Sequence, residues 1–185
     1  MKTFELAGEL RSDFGKKAAK ALRKQELAPC NLYGCGVNIA FTVKVADVRK
    51  LLYTPDTQVV ILTIDGKTYN CVVKEAQFHP VKETLFHIDF LAVDEKKPVI
   101  VEIPVQLNGL AEGVKAGGKL ALEMRKLKVK AIYTDLPDRV IIDVTSLGLG
   151  KKIQVSDLHY DNYEIVNVKE QVVAQVKATR ASKQG

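Results

Sequence analysis

Apolar and polar residues alternate along this chain in short runs, and glycine, proline or aspartate ends each run before it grows long. That pattern constrains the fold more than any other feature. A period of two places every second side chain on one face of a strand, whereas a helix needs apolar residues at three- and four-residue spacing. In the first half the alternation is mixed with helical stretches. Phe4-Glu-Leu6 reads as a short strand, residues 16–24 as a helix, and residues 32–45 as one or two strands broken at Gly34 and Gly36. Residues 46–52 form a short helix expected to be capped near Asp47. The β-branched run 57–64 reaches Asp65-Gly66, a hairpin signal, and continues into 68–76. Residues 87–93 supply a last strand.

After Asp94-Glu95-Lys96-Lys97-Pro98, a charged break ending in proline, almost every segment reads as strand. The runs are 99–107, 120–131, 140–144, a weaker one at 163–168, and 171–176. Between them stand Asn108-Gly109, Gly117-Gly118, Leu136-Pro137-Asp138 and Gly148-Leu-Gly150. The expected fold is therefore mainly β with some α. Residues 1–94 would form a small β-barrel or sheet with helices, and residues 95–185 an all-β domain. The polar tail is expected to fray from about residue 178.

A length of 185 residues suits one domain of ordinary size or two small ones, and 46% hydrophobic residues are enough to build packed cores. The net charge of +6 favours an acidic partner. No apolar run approaches the roughly 20 residues of a membrane span. The Met1-Lys-Thr-Phe-Glu-Leu6 start lacks a signal-peptide apolar core, so a cytoplasmic location is expected. Cys30, Cys35 and Cys71 are odd in number and match no zinc spacing; reduced thiols without metal or cofactor are the reading.

Part of the charge is concentrated. On a helix of about 100° per residue, Lys16, Lys17, Lys20, Arg23 and Lys24 crowd into an arc of roughly 120°. Ala18, Ala21 and Leu22 take the opposite side, with Ala19 at its margin. Such a helix can dock on a core and still present five cations outward. A polyphosphate backbone suits that face, because neutralised phosphates release counterions. The same periodicity also fits a plain solvated face.

Three other constellations carry polar or glycine-rich chemistry. Residues 113–120 (GVKAGGKL) nearly spell a phosphate-binding loop, but Leu120 stands where a magnesium-binding hydroxyl belongs, and a strand-like run follows. A glycine-rich turn is the simpler reading, and no nucleotide is expected. His87 and Asp89 share one strand face. They could belong to a small hydrolase, yet no nucleophile elbow accompanies them. Beside the cations they could instead read RNA bases or riboses. Tyr33 could stack on an unpaired base, although alone such a residue more simply reads as core. A basic protein–protein adaptor is a further alternative.

Read in order, these residues resemble a known family. The pattern is Arg11…Gly15-Lys16…Leu22-Arg23…Pro29…Leu32-Tyr33-Gly34, Val73-Lys74-Glu-Ala-Gln77…His79-Pro80-Val-Lys82 and His87-Ile-Asp89-Phe90. It is similar to the bacterial large-subunit ribosomal protein family, L-twenty-five, that binds 5S ribosomal RNA. The second half adds Pro104…Leu107-Asn-Gly109…Ala111-Glu-Gly113, Asp135-Leu-Pro137, Asp143-Val…Leu147-Gly-Leu-Gly150 and Val155-Ser-Asp157-Leu158. These resemble the long, two-domain general stress protein (CTC) type. The resemblance implies a non-enzymatic constituent of the 50S subunit, lodged in the central protuberance among neighbouring ribosomal proteins and monomeric when free. Its first domain would bind loop E and the adjoining helix of 5S rRNA. By position, Arg11, Lys16, Lys20, Arg23, Tyr33, His87 and Asp89 are the implied RNA contacts. The chain departs from the family at Lys20-Ala21, where consecutive arginines are common, and at Glu26, often glycine.

Overall fold

The computed structural model describes residues 2–94 and 97–179. Two compact units divide the chain: Met1–Val99 with Ile132–Thr134, and Ile100–Ala131 with Asp135–Gly185. Of the charged break, Glu95 and Lys96 lie outside the described residues, as does the tail 180–185. Thr179, just before that tail, donates its hydroxyl to the Gly117 carbonyl at 2.6 Å.

The first unit runs β1 (Lys2–Leu10), α1 (Lys16–Lys24), β2 (Leu27–Gly34), β3 (Val37–Lys44), α2 (Val45–Tyr53), β4 (Gln58–Ile64), β5 (Lys67–Phe78) and β6 (Leu85–Ala92). Its strands close into a barrel in the order β1-β3-β2-β6-β5-β4. Closure satisfies every edge and leaves one face of each strand inside. Leu6, Leu32, Leu62, Ile88, Phe41 and Phe90 fill the interior, with the two phenylalanine rings 5.6 Å apart. Strand β1 is longer than Phe4–Leu6 because it lies parallel to β4 from Lys2↔Gln58 to Gly8↔Ile64. Its Ala7-Gly8 stretch breaks the apolar alternation for a packing reason: a Cβ on Gly8 would sit 2.6 Å from the Phe41 ring.

The two-residue turn Cys35-Gly36 separates β2 from β3, with φ of 50° and 80°. Two positive φ values match the right-handed strand twist of a tight hairpin. Helix α2 begins at Val45, so Asp47 is not its cap; it sits in the first turn, where its charge complements the helix dipole.

The second unit contains β7 (Val99–Asn108), α3 (Glu112–Lys115), β8 (Lys119–Leu122), β9 (Lys126–Ala131), β10 (Val140–Asp143), β11 (Lys152–Gln154), a 3-10 turn (Val155–Asp157), β12 (Glu164–Ile165) and β13 (Val172–Lys177). They form two open sheets, β10-β7-β9-β12 and β11-β13-β8. The run 120–131 is two strands, one in each sheet. The chain crosses at residues 123–125, where the Glu123 and Met124 amides both donate to the Val173 carbonyl. The weak run 163–168 shrinks to a two-residue strand, and the one-turn α3 and β11 had no periodic signal. Gly113 and Gly118 bracket α3's end, and strand β8 follows them. A Cβ on Gly113 would lie 2.6 Å from the Gly148 and Leu149 backbone. These glycines permit close backbone packing.

Candidate nucleic-acid interface

Helix α1 begins without a side-chain cap: Gly15, at φ 97°, precedes Lys16, and the first turn holds no acid. Lys16 and Lys17 therefore stand at the positive end of the helix dipole, which an anion would relieve. Lys16, Lys17, Lys20 and Lys24 are all exposed. Among the described residues no carboxylate pairs with any of the four.

Arg23 departs from the expected arc. It is half-buried. Its Nε and Nη2 donate to the Phe86 carbonyl at 3.2 and 3.1 Å, and its guanidinium lies 4.8 Å from the Phe86 ring centre. The docked face is consequently rotated: Ala18, Ala19, Leu22 and Arg23 are half-buried, and Ala21 is exposed. Arg23 clamps the helix to the barrel, leaving a purely lysine face outside. The helix ends through Glu26, which adopts φ 57° and whose carbonyl accepts from the Val45 amide at 2.9 Å. A glycine would take that left-handed backbone without strain.

Arg11 is likewise held at the other end of the helix. Its amide donates to the Ala40 carbonyl, its Nε donates to the Asp13 carbonyl at 2.6 Å, and its guanidinium stands 5.4 Å from the Phe14 ring. Phe14 itself is 69% exposed. The loop into α1 thus presents an aromatic ring backed by a cation.

The outer face of β6 carries His87, Asp89 and Leu91, while Ile88, Phe90 and Ala92 point inward and are buried. His87 Nδ1 lies 3.4 Å from Asp89 Oδ1, both side chains about one-quarter exposed. Register brings more polar groups beside them. Asn31 of β2 and Glu75 of β5 flank Asp89 on its two sides, Gln77 stands opposite His87, and Tyr33 stands opposite Leu91. Gln77 Nε2 donates to Glu75 Oε1 at 3.4 Å. Tyr33 is 38% exposed on this outer face, not in the core. Partial burial, with Asp89 and Glu75 adding their charge, pushes its phenol above the ordinary value; it stays protonated and can donate. Asn31, Glu75 and Gln77 escaped the sequence reading. For Glu75 and Gln77 the cause is a bulge at Lys74, which shifts the parity of β5 between Val73 and Glu75; Asn31 lies on β2 ahead of residue 32, where the strand was expected to begin. His79 turns elsewhere: its Nδ1 accepts from the Val81 and Lys82 amides at 3.1 Å, shaping a loop.

The cysteines are free thiols. Burial pushes Cys71 up to about 12 and Cys30 higher still, so both remain protonated and unreactive. Among the described residues no group of His, Cys, Asp or Glu could hold a metal ion, and no helix is long and apolar enough to cross a membrane. Among the described residues no serine or cysteine hydrogen-bonds to the His87–Asp89 pair. What the surface offers is a row of cations beside a polar, donor- and acceptor-bearing sheet face, the equipment of a protein that binds a structured polyanion.

Comparison with known proteins gives the family. Residues 6–90 match the Ribosomal L25p family, and residues 98–180 match the C-terminal domain of ribosomal protein TL5. The large ribosomal subunit protein bL25 of Phocaeicola vulgatus is 52% identical over 190 residues, covering 99% of this chain and 96% of that protein. The bL25 of Azobacteroides pseudotrichonymphae is 55% identical over 184 residues (99% and 97%), and that of Porphyromonas gingivalis 53% over 185 residues (99% and 96%). The chain belongs to the bL25 family of large-ribosomal-subunit proteins, a structural ribosomal family and not an enzyme family.

Proposed function

We propose that the chain is a cytoplasmic protein of the bacterial 50S subunit, monomeric when free, and that it binds 5S rRNA through residues 1–94. Residues 95–185 would form a second, all-β domain outside that recognition. The observation that carries the reading is the exposed lysine face of α1, uncapped at its positive end and without carboxylate partners among the described residues, set on the same barrel as the His87–Asp89 face. Recognition would follow the shape of a distorted RNA helix. Lys16 and Lys20, with Lys17 and Lys24, fix phosphates, which position the protein without reading sequence. Tyr33 offers a ring for stacking and a hydroxyl donor, while His87 and Asp89 donate to and accept from base edges and 2′-hydroxyls. Arg23 holds the helix against β6, Arg11 is held within the loop that precedes the helix, and any contact of their own with RNA is made from those positions.

The sign of one substitution tests this. An Asp89 carboxylate that merely stands near phosphates repels them, so Asp89→Ala would tighten binding. A carboxylate that accepts a hydrogen bond from RNA makes a contact involving an ionised group, and its loss should weaken 5S rRNA binding by about 1.5 to 3 kcal/mol. Weaker binding with an unchanged melting temperature is the expected result. Tighter or unchanged binding removes Asp89 from the interface, and a large fall in melting temperature assigns it to the fold.

A further inference from the structure

The second unit carries a cationic row of its own. Strand β9 alternates strictly: Leu127, Val129 and Ala131 are buried, and Lys126, Lys128 and Lys130 are exposed. The three ammonium groups leave one face of the sheet at two-residue steps, about 6.6 to 6.8 Å apart along the strand. Lysines on an outer strand commonly serve to block edge-to-edge association, but β9 lies inside its sheet, between β7 and β12. Beyond the two residues of β12 its backbone stays paired: the Val166 amide donates to the Lys128 carbonyl, and Asn167 Oδ1 accepts from the Lys128 amide at 2.6 Å. Edge protection therefore does not account for the row.

Local carboxylates do not neutralise it. Lys130 approaches Glu164 at 3.8 Å, with side chains 47% and 72% exposed, an arrangement worth little in water. Lys126 and Lys128 have no carboxylate partner among the described residues. Arg139 adds a cation at the far side of the face, its Nη1 donating to Gln106 Oε1 of β7 at 3.0 Å. Opposing charges on this face are Glu102 of β7, Glu164, and Asp143, the last held by the Thr145 amide and hydroxyl. The three lysines stand together on β9, whereas the three carboxylates are spread over β7, β10 and β12, so positive charge is concentrated along the strand; the whole second half is also basic, with 15 basic against 11 acidic residues from Glu95 on.

We propose that this sheet face is a second docking surface for the phosphate backbone of RNA, independent of sequence and separate from the α1 face. Lysine suits that role: a compact charge on a flexible stem grips phosphates one at a time and reads no base. The even spacing along an extended strand matches a linear series of like charges better than the scattered carboxylates of a folded acidic protein. This inference does not rest on the 5S rRNA reading, because it concerns backbone alone.

The test uses the full chain and a short RNA duplex of arbitrary sequence, so that failure here leaves 5S selectivity untouched. Affinity is measured across a salt series for the native chain and for the K126Q/K128Q/K130Q variant. Each lost phosphate contact should lower the log-log salt slope by about 0.7 to 0.9, giving a total fall of roughly 2 to 3 with an unchanged melting temperature. The corresponding arginine variant should keep the native slope. An unchanged slope in the glutamine variant overturns the proposal. So does a loss of poly-glutamate binding larger than the loss of RNA binding, which would assign the face to an acidic protein. Should the triple variant fold poorly, K128Q alone decides: a fall of about 0.7 to 0.9 supports the surface, and no fall rejects it.

Discussion

The two units solve the edge problem of β-structure in opposite ways. The first closes six strands into a barrel around one aromatic and aliphatic core, so its outer face is free to carry function. The second leaves two small sheets open and holds them with side-chain caps and close backbone contacts. Tyr160 donates its hydroxyl to the Ile141 carbonyl on the β10 edge at 2.9 Å, and its ring stacks on Tyr163 at 4.7 Å. Gly113 and Gly118 let α3 and β8 approach residues 148–149 and 176. A closed barrel tolerates change on its surface and little in its interior; an open pair of sheets depends on particular turns. The cations differ as well. On the barrel they ride a short helix pinned by Arg23, whereas in the second unit they stand directly on a strand.

The sharpest way to break this contrast is to cut into each support. Phe41→Ala should remove about 3 to 5 kcal/mol from the first unit, since Phe41 is fully buried against Phe90. Denaturant unfolding followed separately in each unit should show the second transition in place. Gly113→Ala should do the converse, costing the second unit about 1 to 3 kcal/mol through overpacking against backbone. Equal losses in both units from either change would contradict separate supports.

Arg23→Ala should cost about 1 to 2 kcal/mol by removing its hydrogen bonds to Phe86 and its ring contact. Amide exchange in α1 should rise while the barrel strands keep their protection. If exchange in α1 stays as in the native chain, Arg23 is not the clamp.

Acid should produce the smallest effect, and in the second unit. Hydrogen bonds from Lys177, then Gln175, hold Glu123 below the ordinary carboxylate value, and hydrogen bonds from the Thr145 hydroxyl and amide do the same for Asp143. A folded pKa below the unfolded one gives stability that is present above the unfolded value and lost as pH falls through the folded one. Melting curves of the Glu123→Gln and Asp143→Asn variants should therefore be flatter against pH below the carboxylate range. An acid-induced drop as large as the native one in both variants would assign it elsewhere.

Much of this contrast was legible in the sequence. Strand β6 alternates regularly from His87 to Ala92, the Asp65-Gly66 turn carries its own signal, and the basic arc located α1. What escaped depended on contacts distant in sequence. Arg23 looked like one more surface cation because its partner, the Phe86 carbonyl, lies on β6. Tyr33 looked like core because alternation does not say how far a strand's outer face is covered. The bulge at Lys74 hid Glu75 and Gln77, since one extra residue reverses parity. In the second unit, β11 and β12, of three and two residues, are too short for a period to emerge, and the run 120–131 continued its alternation while the chain changed sheets.

Under the proposed function the lysine helix and the His87–Asp89 face together recognise 5S rRNA. Titrating the full chain, at fixed salt, with 5S rRNA and with a scrambled RNA of equal length and composition tests it most directly. Clearly tighter binding to 5S rRNA is expected, with loss of that preference when His87 and Asp89 are both changed to alanine. Equal affinity for the two RNAs would reduce the surface to a general polyanion site and contradict the account.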